Sequence, residues 1–373
     1  MPEQQLAPAE KVHRYRCPGC GADLVFGPQD GALVCPYCGR REEIASDGAS
    51  VEERSYEDYL RAFEDRLGVL APAALEVRCE TCGAIVTFTP PEVAGECDFC
   101  GGKIVAQPKA ADPLIAPEGV LPFRLTPDAS NARVRAWIGA LWFAPNALKR
   151  LAAHEAVGGV YIPFWTYDAH AASSYTGQRG EHYYDTETYT ERDAQGNTVT
   201  RTRQVQRTHW YPASGRVSRW FDDILIPATR SLAPERLRAL EPWDLADLKS
   251  YEPAYLSGYK AQRYQVDLAE GFERAKELAA AAIREDVRRD IGGDVQQIDE
   301  VSTHYSAITF KHLLLPVYVG AYRFNQKVYQ VVVNGRTGEV QGERPYSFWK
   351  IFFFVLTLLA LVGLLVLVFG SNN

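Results

Sequence analysis

Eight cysteines, all in CxxCG units, constrain this chain more than any other feature. Cys17-Pro-Gly-Cys20-Gly and Cys35-Pro-Tyr-Cys38-Gly form one pair of units. Cys79-Glu-Thr-Cys82-Gly and Cys97-Asp-Phe-Cys100-Gly form another, displaced by 62 residues and with the same C-x2-C-x14-C-x2-C spacing. A CxxC turn points two thiolates at one tetrahedral centre, and the glycine after it permits the tight turn that aims amides at sulfur. Two such turns fill a four-thiolate shell at about 2.3 Å, which leaves no open position and marks a structural metal. The spacing therefore predicts two zinc ribbons, each holding one structural Zn2+. Residues 1–46 form the first and 76–107 the second. Iron is chemically allowed by the same ligands. Disulfides would need an oxidising compartment, and redox CxxC chemistry rarely comes as two matched pairs. A ribbon of this size is too small for a sufficient core, so metal binding must contribute much of its folding free energy.

The opposite end carries the second constraint. Ile351–Phe369 is a run of nineteen residues without a charge. As a helix it would be about 28 Å long, close to the hydrocarbon thickness of a bilayer. Trp349 and Lys350 read as interface anchors, and the N-terminal MPEQQLAPAEKVHR has no apolar core of a signal peptide. The expectation is one C-terminal transmembrane helix over 349–370. It makes the chain tail-anchored and single-pass in the cytoplasmic membrane, with Arg336, Arg344 and Lys350 holding the N-terminal bulk in the cytoplasm.

Between these ends the pattern predicts an α+β cytoplasmic domain over 119–346, joined to the ribbons by a helical connector at 50–70 and a linker at 108–118. Ser50-Val-Glu-Glu53 resembles a capping box, and Tyr56, Tyr59, Leu60, Phe63 and Leu67 follow at helical spacing, to pack on a ribbon. Thr126-Pro127 opens a helix carrying Val134, Trp137, Ile138 and Leu141; Pro145 opens another through Leu148 and Leu151. Val160–Tyr167 is an aromatic strand, with Trp165 and Tyr167 as core. A hairpin of Thr188–Arg192 with Thr198–Arg207 sets Arg201, Arg203 and Arg207 on one face. Asp267 caps a helix to Ile291, stopped by Gly292-Gly293. Strands Val301–Phe310, Leu313–Phe324 and Lys327–Val333 follow, then an Asn334-Gly335-Arg336-Thr337-Gly338 turn. The expected fold class is thus multidomain α+β: two four-cysteine ribbons, a mixed antiparallel α+β domain and a transmembrane helix.

Catalytic constellations are not evident. Gly101-Gly102-Lys103 lacks the rest of a phosphate-binding loop. His154-Glu155 begins like a metalloprotease helix, but Gly158 stands where the second histidine belongs. Every cysteine is committed to metal. Asp168 and His170 are the one acid–base candidate, and such a pair arises often by chance. No catalytic or cofactor-binding residue is assigned, and a small-molecule substrate is not expected. Lys11, Arg14, Arg16, Arg40 and Arg41 could rim the first ribbon against phosphates. Residues 1–110 nevertheless hold eleven Lys/Arg against eighteen Asp/Glu, net −7, which disfavours nucleic acid.

The order of motifs resembles a known bacterial group. Two CxxCG ribbons precede GGVYIPFWTYDA (Gly158–Ala169), LLPVYVGAYRFNQKVYQVVVNGRTGEVQGERPYS (Leu314–Ser347) and a terminal apolar run. The chain resembles bacterial membrane-anchored double zinc-ribbon proteins, labelled transcription-factor-IIB-type zinc ribbon-containing. Some carry a primosomal protein N′ (replication factor Y) helicase label. The chain has no motor motifs to match that label. The resemblance implies cytoplasmic protein partners of the SPFH and phage-shock-A-like kind. It also implies a non-enzymatic, tail-anchored adaptor in a membrane-stress system. A nucleic-acid-binding ribbon protein linked to replication or transcription is the alternative, and an enzyme with an unrecognised pocket is a third reading.

Overall fold

The computed structural model describes residues 15–45, 51–64, 75–78, 85–88, 94–96, 99, 103–105, 115, 117–145, 157–192, 197–262, 264–325 and 327–370. Its first strands form a small antiparallel sheet, with β1 (Val25–Gly27) and β2 (Ala32–Val34) between the first two cysteine knuckles and β3 (Arg41–Glu42) just after the second. β4 (Arg54–Ser55) and α1 (Tyr56–Glu64) follow. β5 (Leu75–Arg78) pairs with β6 (Ile85–Phe88), and β7 (Ala94–Glu96) with β8 (Lys103–Val105). β9 (Gly119–Val120) and α2 (Pro127–Ala140) lead to two very long strands, β10 (Gly158–Arg192) and β11 (Thr198–Pro227). After them come α3 (Pro234–Arg238), β12 (Lys249–Ser250), β13 (Lys260–Ala261) and α4 (Leu268–Ile291). β14 (Val295–Phe324), β15 (Lys327–Asn334), β16 (Val340–Gly342) and α5 (Phe348–Gly370) complete the chain.

The α+β expectation is corrected: the fold is mostly β. One nine-stranded sheet, ordered β11-β10-β14-β15-β16 with four short strands at its margins, dominates the described residues. The aromatic strand and the distal hairpin, expected as separate elements, are one 35-residue strand in β10. The two strands expected around Lys311-His312 likewise fuse into the 30-residue β14. At about 3.3 Å per residue β14 is roughly 100 Å long.

The root of the sheet is buried on both faces. On one, Ile162, Phe164, Leu313 and Leu315 pack under Leu232, Leu237 and Trp243. On the other, Tyr161 and Tyr318 meet Phe123, and Trp165 and Tyr167 meet α4. Trp165 Nε1 donates to Val266 O at 2.9 Å, and Tyr167 Oη donates to Leu268 O at 2.7 Å. The core assignment of both aromatics holds. Farther along, α4 covers one face only, with Ile283, Val287 and Ile291 packed on Ala171 and Tyr175. The alternate residues Ala172, Ser174 and Thr176 are exposed.

Both helix starts follow the sequence. Thr126 Oγ1 accepts the Ala129 amide at 3.3 Å, and Asp267 Oδ1 accepts the Glu270 amide at 2.7 Å. Gly292 ends α4 at φ 67°. The connector differs. Its cap is Ser55, whose Oγ accepts the Asp58 amide at 3.3 Å, rather than Ser50. Tyr56, Tyr59 and Leu60 pack not on a ribbon but on the large sheet, against Phe272 and Phe310. Phe99, between Cys97 and Cys100, is buried in the sheet's core beside Val319 and Leu232. The expected helix through Leu148 and Leu151 lies outside the described residues, as does Leu67.

The C-terminal expectation is corrected as well. Among the described residues no helix is long and apolar enough to cross a membrane. The transmembrane span is not supported, and with it go the membrane as a partner, the tail anchor and the single-pass cytoplasmic-membrane localisation. Lys350, expected as an interface anchor, instead donates to the carbonyls of Trp142 at 3.2 Å and Ala144 at 2.8 Å. Phe354 packs edge-on against Phe143 at 5.4 Å, so the start of α5 is pinned to the turn after α2.

Candidate metal centre

Cys17, Cys20, Cys35 and Cys38 converge as their spacing predicts. Their four sulfurs lie within 4.8 Å of one another. Cys17 Sγ is 3.5 Å from Cys38 Sγ, and Cys20 Sγ is 3.4 Å from Cys35 Sγ. A tetrahedron with bonds of about 2.3 Å has edges of about 3.8 Å, so the cluster could hold one zinc ion with small adjustment.

The local backbone explains the convergence. In the first knuckle the Gly21 amide donates to Cys17 O at 2.8 Å; in the second, the Gly39 amide donates to Cys35 O at 3.0 Å. Both glycines take left-handed φ, 74° and 72°, a conformation that disfavours a side chain. The Cys38 amide, aimed at Cys35 Sγ and joined by that of Tyr37, holds the Cys35 thiol down at about 6 against the opposing effect of burial. At Cys17, burial is outweighed by the Cys20 and Gly19 amides, and the thiol is also lowered. Cys20 receives a lowering hydrogen bond from Ala22, yet is pushed up to about 12 by sharing a proton with Cys35. The paired knuckles thus favour thiolate at the two buried sulfurs, and a divalent cation bound there would replace the shared protons at the others.

The centre is half buried. Cys17 and Cys35 are 2% and 1% exposed, whereas Cys20 and Cys38 face solvent. Leu24, Phe26 and Leu33 of the ribbon share one core cluster with Phe123, Tyr161 and Tyr318 of the sheet. The Phe26 amide donates to Ser257 O at 2.8 Å, and Ser257 Oγ donates to Leu24 O at 2.6 Å. Phe26 meets Tyr255 edge-on at 5.5 Å. The first ribbon is therefore docked on the large domain by backbone and core contacts. Two arginines of its expected phosphate rim are engaged: Arg41 pairs with Asp30 at 2.7 Å and Arg40 with Glu42 at 3.6 Å. Lys11 and Arg14 lie outside the described residues, as do Cys79, Cys82, Cys97 and Cys100.

A second polar cluster sits where the covered face of the sheet becomes open. Asp168 is 3% exposed. Its Oδ1 accepts the Asp223 amide at 2.6 Å, and its Oδ2 accepts Thr309 Oγ1 at 3.3 Å. Lys311 Nζ lies 2.8 Å from Asp223 Oδ1 and 3.1 Å from Glu53 Oε1. Burial, with neighbouring Glu53 adding to it, pushes the Asp168 carboxyl up to about 6. Asp223 and Ala307 take φ 51° at adjacent irregularities in β11 and β14, so Asp168 braces a sheet bend. Its neighbour His170, the other member of the acid–base candidate, lies near Trp220 with ring centroids 6.2 Å apart. Sequence reasoning missed this cluster because Glu53, Asp223 and Lys311 are remote in the chain. Arg336, expected as a charge that sets membrane orientation, is instead 8% exposed and binds Pro122 O, Asp244 and Asp247 beneath the Asn334–Gly338 turn.

The chain is similar to an uncharacterized protein, YdjG, of Bacillus subtilis (strain 168). The two are 26% identical over 339 residues, spanning 90% of this chain and 91% of that one. No solved structure matches. No family model matches either, so the zinc-ribbon resemblance rests on the four-cysteine cluster, and the primosomal label has no support.

Proposed function

We propose that the protein is a non-enzymatic scaffold that presents zinc-held ribbons and an elongated β-sheet to protein partners. The observation that carries this reading is the docking of the first ribbon onto the sheet. The exposed knuckle residue Tyr37, 82% accessible, is thereby held rigidly relative to a sheet roughly 100 Å long. Rigid, spaced surfaces lower the ordering cost of a partner that touches both. The ion pairs at Arg40 and Arg41 favour a protein partner over nucleic acid, since neutralised arginines contribute little counterion release.

The same reading extends to metal content. Cys79, Cys82, Cys97 and Cys100 repeat the spacing of the first four ligands, and buried Phe99 gives that ribbon its own seat on the sheet. Each chain then carries two zinc ions.

The test replaces Tyr37 with a photoreactive phenylalanine in living cells and in parallel measures zinc per chain. The expected result is one discrete set of protein adducts at Tyr37, abolished by Cys17→Ser. Zinc falls from two equivalents to one in Cys79→Ser. Nucleic-acid adducts in place of protein adducts would overturn the scaffold reading. Unchanged zinc in Cys79→Ser would overturn the second site.

A further inference from the structure

The third strand of the sheet ends at Val295, opposite Gly180. Beyond that level β10 and β11 continue alone for twelve cross-strand pairs, Glu181–His209 to Arg192–Thr198. The result is a two-stranded arm about 40 Å long. Two-stranded ribbons are marginal in water without a third strand or a covering layer.

The two faces of this arm differ in chemistry. One is closed by its own contacts. Glu187 binds Arg203 at 3.1 Å and Arg207 at 2.7 Å, Arg201 lies 3.8 Å from Glu191, and Tyr183 stacks on His209 at 4.1 Å. The expected arginine face is thus engaged within the arm. The other face presents Thr186, Thr188 and Thr190 beside Thr202, Thr200 and Thr198, all exposed. It runs on without a break into the side of the sheet that α4 leaves open. Its charges are Arg192 at the tip, with Arg216 and Glu300 over the three-stranded half.

Near the middle of this face lies an aromatic seat. Trp210 is opposite Gly180, and a Cβ at Gly180 would come within 3.0 Å of its ring. The missing side chain lets the indole lie against the backbone, yet Trp210 remains 43% exposed. Tyr184, on the same face and four residues along, is 67% exposed.

We infer that this face is a dimerisation surface, and that its occupant is the same face of a second copy of this chain. The register supplies the symmetry. A two-fold axis at the His182–Thr208 pair brings level 184 of one copy over level 180 of the other. Tyr184 of each copy then packs onto the exposed part of the other's Trp210, whose indole covers Gly180, an isologous contact with an aromatic centre. The overlap runs from Ala172 to Arg192, the length over which the face is open. That is about 70 Å by 10 Å, roughly 700 Å² per copy and 1,400 Å² in total, within the range of stable interfaces. Threonine suits such a contact, because its methyl packs and its hydroxyl both donates and accepts. The salt-bridged face would instead set charged rows against one another.

The same axis sets Thr188 of one copy across from the Thr176 level of the other, beside Glu300. The test is sedimentation velocity of the full chain across a concentration series, in a mild detergent that shields exposed α5. The expected result is a monomer–dimer equilibrium. Thr188→Glu, which faces Glu300, should raise the dimer dissociation constant by about tenfold or more. Thr188→Arg should leave it unchanged or lower it, and Trp210→Ser should abolish the dimer. The Glu and Arg variants are equally exposed, so a folding defect would affect both alike. A monomer at every concentration would overturn the inference. So would association that responds equally to both charges, since it would run through another surface. Neither outcome touches the scaffold reading, which is tested at Tyr37.

Discussion

If the first ribbon is part of the sheet's core, removing its metal must weaken the sheet. Chelation frees the cysteine knuckles and releases β1 from residues 254–258. Phe26 is 2% exposed, and burying such a side chain is worth about 2–3 kcal/mol; Leu24, equally buried, is worth about 2. The Phe26 amide and the Ser257 hydroxyl each contribute about 1 kcal/mol through their hydrogen bonds. The sheet should therefore lose at most about 6–7 kcal/mol, an upper estimate because the released chain keeps some contacts. At about 2–4 °C per kcal/mol for a domain of this size, the main thermal transition should fall by up to roughly 10–30 °C. The assay is calorimetry of zinc-loaded and chelator-treated protein, with hydrogen exchange of β10 and β14 as the local readout. Phe26→Ala supplies the control. It should cost about 3–5 kcal/mol with zinc bound and shrink the further effect of chelation, because both act through one interface. An unchanged sheet transition after complete zinc removal, or full additivity of the two perturbations, would refute the reasoning.

Three further outcomes follow from the described contacts. The Asp168 carboxyl is raised to about 6, so the folded state binds a proton more tightly than the unfolded chain between about pH 4 and 6. Its penalty is absent below that window and complete above it. Asp168→Asn keeps the acceptor for the Asp223 amide and should gain stability over the parent at pH 7.5, with a smaller gain at pH 5, in urea titrations of zinc-loaded protein. Arg336→Ala should cost about 1–3 kcal/mol, chiefly by removing the buried guanidinium's donation to Pro122 O, since Asp244 and Asp247 are partly exposed and keep Arg124 as a partner; the readout is a lowered urea midpoint. Gly271→Ala puts a methyl against the Tyr167 hydroxyl and Trp165; it should destabilise the α4–sheet contact by about 1–3 kcal/mol and raise amide exchange along α4.

What could be read from the sequence was local. A CxxCG turn is set by five consecutive residues, and the caps at Thr126 and Asp267 act within three, so each was legible without tertiary knowledge. The long strands were not, because they contain residues that ordinarily break strands. Gly177 faces the Gln297 carbonyl and Ile291, and Gly180 lies under Trp210; both are sites of close approach rather than turns. Lys311 and His312 look like a solvated break between strands, yet both are buried. Lys311 finds Glu53 at a separation of 258 residues, and His312 Nδ1 meets Ile115 O at a separation of 197. The aromatic stripe of α1 was legible as a stripe, but periodicity gives a face and not its partner. An apolar run reports only that water is disfavoured. The same limit explains the arm. Alternation assigned Arg201, Arg203 and Arg207 to one face correctly, but only the register shows Glu187 and Glu191 opposite them. That engagement leaves the threonine face, with Arg192 at its tip, as the more open side of the arm.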